Sequence, residues 1–208
     1  MLMALMLGLL TVPGEENSSL AKKNGYVINL DRAEKLEKMT YSSLFSKAGI
    51  IVLEDTDESL LGKVDKLEVC DNNLYVLEKG RGLFLFNKQG KFIKMIGRQG
   101  KGPGEYIDPD DISIDRENKK IYVLDSQTQN VLKYSGNGTF ESSFKLENKG
   151  TRSTFIQPFK NALYTNLYTF DKSGKRFLLS KVDVTNGKRI SFQFEASQYN
   201  KGWNELFS

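Results

Sequence analysis

A long stretch of this chain is stated twice. Leu74 to Phe92, LYVLEKGRGLFLFNKQGKF, returns as Ile121 to Phe140, IYVLDSQTQNVLKYSGNGTF. Tyr75 and Tyr122 lie 47 residues apart (122 − 75), and Phe86 and Tyr134 lie 48 apart (134 − 86), so one inserted residue separates the copies. A period in the forties, written in short β runs and Gly turns, is the pattern of propeller blades, in which each unit is a small sheet that cannot bury its faces alone. That single feature favours an all-β chain of four-stranded antiparallel units over any helical or α/β alternative.

The blade grammar can be placed residue by residue. The first full unit has strands near 66–70, 74–79, 83–87 and 91–97, with Gly90 in its last turn; the second has them near 111–115, 120–125, 130–135 and 139–146. Asn137-Gly138 supplies a tight hairpin, because both residue types accept positive φ. Leu83-Phe84-Leu85-Phe86 is apolar at every position, which suits a sheet packed on both faces. A third, worn unit follows: Ala162-Leu163-Tyr164 matches the second strand, Val182 to Lys188 supplies strand, turn and restart, and Ile190 to Phe194 is the outermost strand. Ahead of these, Tyr26 to Leu30 and Ile50 to Glu54 read as strands and Ser42 to Lys47 as a helical turn. The expectation is about three blades plus an N-terminal strand, half of a six-bladed ring. Either a second copy completes that ring or the chain is a fragment of a longer protein.

The remaining chemistry is constrained by what is missing. There is no histidine and one cysteine, Cys70, so the chain cannot build a Ser-His-Asp triad, a Cys-His pair, a His-ligated zinc or an internal disulfide. Cys70 ends an apolar run beside an Asp71-Asn72-Asn73 turn and reads as a small buried residue. The excess of 30 basic over 26 acidic residues is scattered, without the basic stripe of a nucleic-acid binder. Met1 to Val12 is apolar and uncharged, too short for a membrane span and the length of a signal-peptide core. Residues 1–25 therefore read as a signal-like segment and flexible lead-in, with a buried N-terminal segment as the alternative for Met1 to Val12, and residues 26–208 as the propeller domain, exported and without a transmembrane span.

Between the two best units runs Ile96-Gly97-Arg98-Gln99-Gly100-Lys101-Gly102-Pro103-Gly104-Glu105-Tyr106. With the preceding Gly-Lys-Phe, with Val52 to Gly62, and with Ile121-Tyr122-Val123-Leu124-Asp125, it resembles the six-bladed β-propeller envelope lipoproteins of Bacteroides-like bacteria, relatives of NHL and TolB-type propellers. The resemblance covers roughly residues 26 to 195 and implies a fold and a compartment: periplasm, outer membrane or cell surface of a Gram-negative bacterium. Members carry a lipid-attachment cysteine after the signal, which this sequence lacks, and about twice as many blades.

Candidate sites weigh modestly. Gly97, Gly100, Gly102 and Gly104 with Arg98 and Lys101 could wrap an anion, but the loop feeds a strand rather than a helix, so a compact return between strands is the better reading. Asp108, Asp110, Asp111 and Asp115 lack a calcium-loop spacing and read as turn carboxylates and caps. Tyr164, Tyr168, Tyr199 and Trp203 fall outside the regular repeat and are the better aromatic platforms for a glycan or peptide. The sequence names no catalytic residue, no metal ligand and no cofactor, and leaves the ligand unknown. It points to a non-catalytic envelope scaffold that binds a protein, glycan or peptide, with no nucleic acid and with self-association as a way to close the ring. Two alternatives stay open: a propeller-type hydrolase or lyase whose catalytic residues lie in blades absent here, and a truncated fragment without independent function.

Overall fold

The computed structural model describes residues 4–8, 40–147, 152–166, 169–170 and 174–195. The strand expected over Tyr26 to Leu30 lies outside them. The chain divides into two compact units, Met1–Val52 and Leu53–Ser208. In the first, strand β1 (Ala4–Gly8) pairs antiparallel with β2 (Ala48–Val52), and a single helical turn, α1 (Tyr41–Leu44), precedes β2. Ser43 closes that turn by donating its amide and its hydroxyl to the Thr40 carbonyl.

The second unit is all β. Its first sheet has the order β3 (Lys66–Cys70), β4 (Asn73–Glu78), β5 (Gly82–Asn87), β6 (Phe92–Ile96). Two short strands, β7 (Arg98–Gln99) and β8 (Glu105–Tyr106), pair in parallel inside the Gly-rich loop. The second sheet is β9 (Pro109–Asp115), β10 (Lys120–Asp125), β11 (Asn130–Ser135), β12 (Phe140–Lys145). The third contains β13 (Ile156–Phe159), β14 (Ala162–Thr165), β16 (Arg176–Asp183) and β17 (Arg189–Glu195), with the two-residue β15 (Thr169–Phe170) also pairing β16. None of the sheets closes into a barrel, and within the first, second and third sheets every strand pairs antiparallel with its neighbours; these three are blade-like meanders.

Side-chain alternation explains the stacking. In β10, Ile121 and Val123 point to the first sheet, where they meet Tyr75, Leu77, Leu83 and Leu85. Tyr122 and Leu124 point the other way and pack with Ile156, Leu163 and Val182 of the third sheet. A strand buried on both faces must be apolar at every position, which is why the usual alternation is absent. The first sheet's other face, Leu74, Val76, Phe84 and Phe86, is also buried. Along it runs Leu53 to Leu61, held at one end by Glu54, which donates its amide to Gly90 O (2.7 Å) and accepts from the Phe92 amide (2.9 Å). The other end is held by Arg81, which donates to Leu60 O, and by the Gly62 amide, which donates to Glu78 Oε2 (3.2 Å).

The Glu78 contact belongs to a recurring latch. In each sheet the polar residue at the end of the second strand accepts backbone amides from the linker that enters that sheet. Glu78 takes Gly62, Asp125 takes Ile107 (2.8 Å), and Asn166 takes Thr154 (3.0 Å) and Phe155 (3.1 Å). A second recurrence lies at the last turn of each later sheet, which presses on the outer strand of the sheet before it. A Cβ on Gly138 would lie 2.7 Å from Ile96, and one on Gly187 would meet the Lys145 carbonyl.

Candidate functional site

The first strands of the three sheets, β3, β9 and β13, lie side by side and form a common inner edge. Its side chains are polar. Lys66 Nζ contacts Asp111 Oδ1 at 2.7 Å, and Asp111 Oδ2 accepts the Ile156 amide at 2.8 Å, so one carboxylate, 5% exposed, ties three sheets together. A charge this buried persists only because both of its oxygens are engaged. Around it lie Glu68, at 3.9 Å from Lys66 and 3.8 Å from Arg116, and Ser113, whose hydroxyl donates to Gln157 Oε1 at 3.3 Å. The Phe155 ring lies 5.9 Å from Lys66 Nζ. Burial pushes the Glu68 carboxyl above its ordinary range, Lys66 and Arg116 offset this in part, and Asp111 adds to it. None of Lys66, Glu68, Arg116, Phe155 or Gln157 stands out in the sequence; the one signal was the alternation of Lys66 and Glu68 within an otherwise apolar strand.

The Gly-rich loop does wrap an anion, and the anion is its own. Glu105 turns back into the loop, accepts the Gly102 amide at 2.8 Å and the Arg98 Nε–H at 2.6 Å, and fills the space that a Cβ on Gly100 would need. These contacts hold its pKa below the usual carboxylate range. The loop is therefore a compact return between strands, as expected, with no amide cradle left for a phosphate. Tyr106 anchors it from beneath: its hydroxyl donates to Ile96 O (3.0 Å) and accepts the Leu83 amide (3.1 Å). Burial raises the Tyr106 pKa to about 12. Gly97, at φ +69, leaves room for this ring and for the Tyr134 hydroxyl, each 2.6 Å from where its Cβ would stand.

The four aspartates do not converge. Asp108 accepts from Ser126 Oγ (3.3 Å), Asp110 pairs with Lys79 (2.7 Å), and Asp115 caps a turn through the Asn118 amide (3.0 Å). Asp111 departs from the expectation of a solvated turn carboxylate, because strand β9 carries it into the ion pair with Lys66. Among the described residues no group of three or more His, Cys, Asp or Glu side chains could hold a metal ion. Cys70 is a buried free thiol. Tyr164 is half-buried in β14 with its ring 6.4 Å from Phe159; Tyr168, Tyr199 and Trp203 lie outside the described residues. No helix among the described residues is long and apolar enough to cross a membrane.

Stacked blade-like sheets sharing a polar inner edge define the class: an all-β protein of four-stranded repeats. The chain belongs to the family described as "Domain of unknown function (DUF4934)", whose model matches residues 25–207. No curated protein matches it. Among solved structures it is similar to a "Putative exported protein" of Bacteroides fragilis, at 25% identity and a TM-score of 0.60, over 70% of this chain and 41% of that one. A protein of unknown function from Bacteroides caccae matches at 14% identity and a TM-score of 0.47, over 70% of this chain and 54% of the other. The chain thus spans less than two thirds of either.

Proposed function

We propose that the chain is part of an exported β-propeller scaffold that binds a partner at the inner edge without chemical turnover. One observation carries this reading: the first strands of three successive sheets present a row of polar side chains in which Lys66, Glu68, Asp111 and Arg116 neutralise one another. Carboxylates engaged with cations and backbone amides suit recognition better than proton transfer. Export is supported by the apolar stretch Met1 to Val12 and by the name of the Bacteroides fragilis neighbour. The envelope of a Gram-negative bacterium is the compartment we assign, with residues 26–208 as the propeller domain.

The test passes a Bacteroides envelope extract over the immobilised full chain and over a Glu68→Gln/Arg116→Ala variant of equal melting temperature. A component retained by the first and released by the second supports the reading. Equal retention on both would overturn the inner edge as the docking surface. Hydrolysis of envelope glycan by the unmodified chain, lost in the Glu68→Gln variant, would overturn the non-catalytic assignment.

A further inference from the structure

Three charged side chains at the inner edge keep hydrogen-bonding capacity that their neighbours do not use. Lys66 carries three N–H donors and gives one to Asp111 Oδ1 at 2.7 Å. Its next acidic neighbour is Glu68 Oε1 at 3.9 Å, and the other oxygen, Oε2, lies 3.8 Å from the Arg116 guanidinium. Both gaps exceed the roughly 2.7–3.2 Å of a hydrogen bond. Among the described residues the Glu68 carboxyl therefore accepts no hydrogen bond although its side chain is only 22% exposed, and the Arg116 guanidinium, 61% exposed, donates none. A half-buried carboxylate so placed is poorly satisfied when ionised and becomes an uncommitted donor when protonated. Burial favours its protonated form, Lys66 and Arg116 oppose it, and Asp111 reinforces it.

The charge count says what fits. Lys66, Arg116, Asp111 and an ionised Glu68 cancel; with Glu68 protonated, the cluster holds one positive charge and donors on three side chains. The gaps beside Glu68 are too narrow to admit an atom, so an acceptor has to sit in front of the three, on the solvent side. A carboxylate brings two acceptor oxygens and a single negative charge, whereas a phosphate dianion brings one charge more than the cluster neutralises. We infer that the inner edge binds its ligand through one carboxylate, which accepts from Arg116, from Lys66 and from the protonated carboxyl of Glu68, so that binding takes up one proton. The inference rests on the docking reading given above and names the chemistry of the partner. The other groups around Glu68 leave that proton to it. Both oxygens of Asp111 are engaged by Lys66 and the Ile156 amide, Tyr75 across the strand pair has its pKa raised by burial, and β13 brings only Phe155 and Gln157, which do not titrate.

The experiment is a ¹⁵N NMR titration of the full chain at pH 7.5, 6.5 and 5.5, where a Glu side chain in a peptide stays ionised. The probes are acetyl-Ala-Glu-Ala-amide, its Gln counterpart, N-acetylglycine and, at pH 7.5, inorganic phosphate. A carboxylate probe should shift the resonances of Glu68, Ser113 and Arg116 and bind more tightly as pH falls, by up to about tenfold per unit for one proton taken up; the Gln peptide should do neither. The acidic peptide binding more tightly than N-acetylglycine identifies a peptide side chain as the source of the carboxylate, and the reverse order a free acid. Arg116→Ala should weaken binding at least tenfold at unchanged melting temperature. Glu68→Gln should tighten it at pH 7.5 and remove the pH dependence, an outcome that a merely structural role for Glu68 would not give. The inference is overturned if no carboxylate probe shifts these signals, if Arg116→Ala leaves binding unchanged, if Glu68→Gln weakens it, or if phosphate binds as well as the carboxylates. An envelope component that is retained through Arg116 while every carboxylate probe fails would overturn this inference and leave the docking reading standing.

Discussion

The second and third sheets share a strand plan yet live in different surroundings. Both faces of the second sheet are covered, and Tyr122, Val123, Leu124, Val131 and Leu132 are all buried. The third sheet covers only the face it turns to the second; on and around the rest, Phe159 is 58% and Ile190 55% exposed. The contrast explains why the repeat is crisp in one and worn in the other. A doubly covered strand tolerates apolar residues alone at every position, which writes a recurring motif, whereas a strand covered on one side is constrained at alternate positions only.

Core truncation separates the two sheets most strongly. Leu124→Ala should cost about 2–5 kcal/mol, because the side chain is fully enclosed and its loss leaves a cavity; Phe159→Ser should change stability by less than about 0.5 kcal/mol. Urea denaturation of both variants checks this, and similar losses would mean that Phe159 is covered in solution. Next comes the packing of the turns. Gly138 and Gly80 share a left-handed backbone, φ +79 and +81, but only Gly138 has neighbours within 4 Å of an added Cβ. Gly80→Ala should cost about 1–2 kcal/mol from backbone alone. Gly138→Ala should cost measurably more, and equal melting temperatures would deny the contact with Ile96.

The smallest effects are electrostatic and opposite in sign. Burial raises the Glu68 pKa, so the folded state holds its proton more tightly and loses stability as pH rises from the ordinary carboxylate range to the raised value. Glu68→Gln should therefore stabilise the protein slightly at neutral pH and not in acid. The Glu105 pKa is lowered, so its contribution is present above the ordinary range and disappears as pH falls through the depressed value. Glu105→Gln should flatten that acid-side decline. Melting curves from pH 3 to pH 7 on both variants test the pair, and slopes of the same sign would contradict the geometry.

How well each element could be read from sequence follows the same contrast. The strands of the first two sheets lie within a residue or two of their expected bounds because Tyr-Val-Leu-acid repeats and Gly turns bracket them. β13 was missed: Ile-Gln-Pro-Phe carries a proline where a strand is least expected, and it serves as an edge strand, where a missing donor is tolerated. The strand expected at Ile50 to Glu54 forms two residues earlier, as Ala48–Val52, because the Glu54 amide is taken by Gly90. The acid closing each Tyr-Val-Leu run was visible as a recurrence, but its task, latching a linker some 16 to 18 residues upstream, could not be read from a linear string. Likewise the glycines of the loop announced a tight path, while the carboxylate that fills it emerged only in three dimensions.

The strip from Leu53 to Leu61 makes the stack of sheets directional. It seals one end, leaving the third sheet as the only terminal face open to another molecule among the described residues of this unit. A further sheet that extends this stack adds to the third sheet's open face. Extension at the first sheet would require that strip to be peeled away.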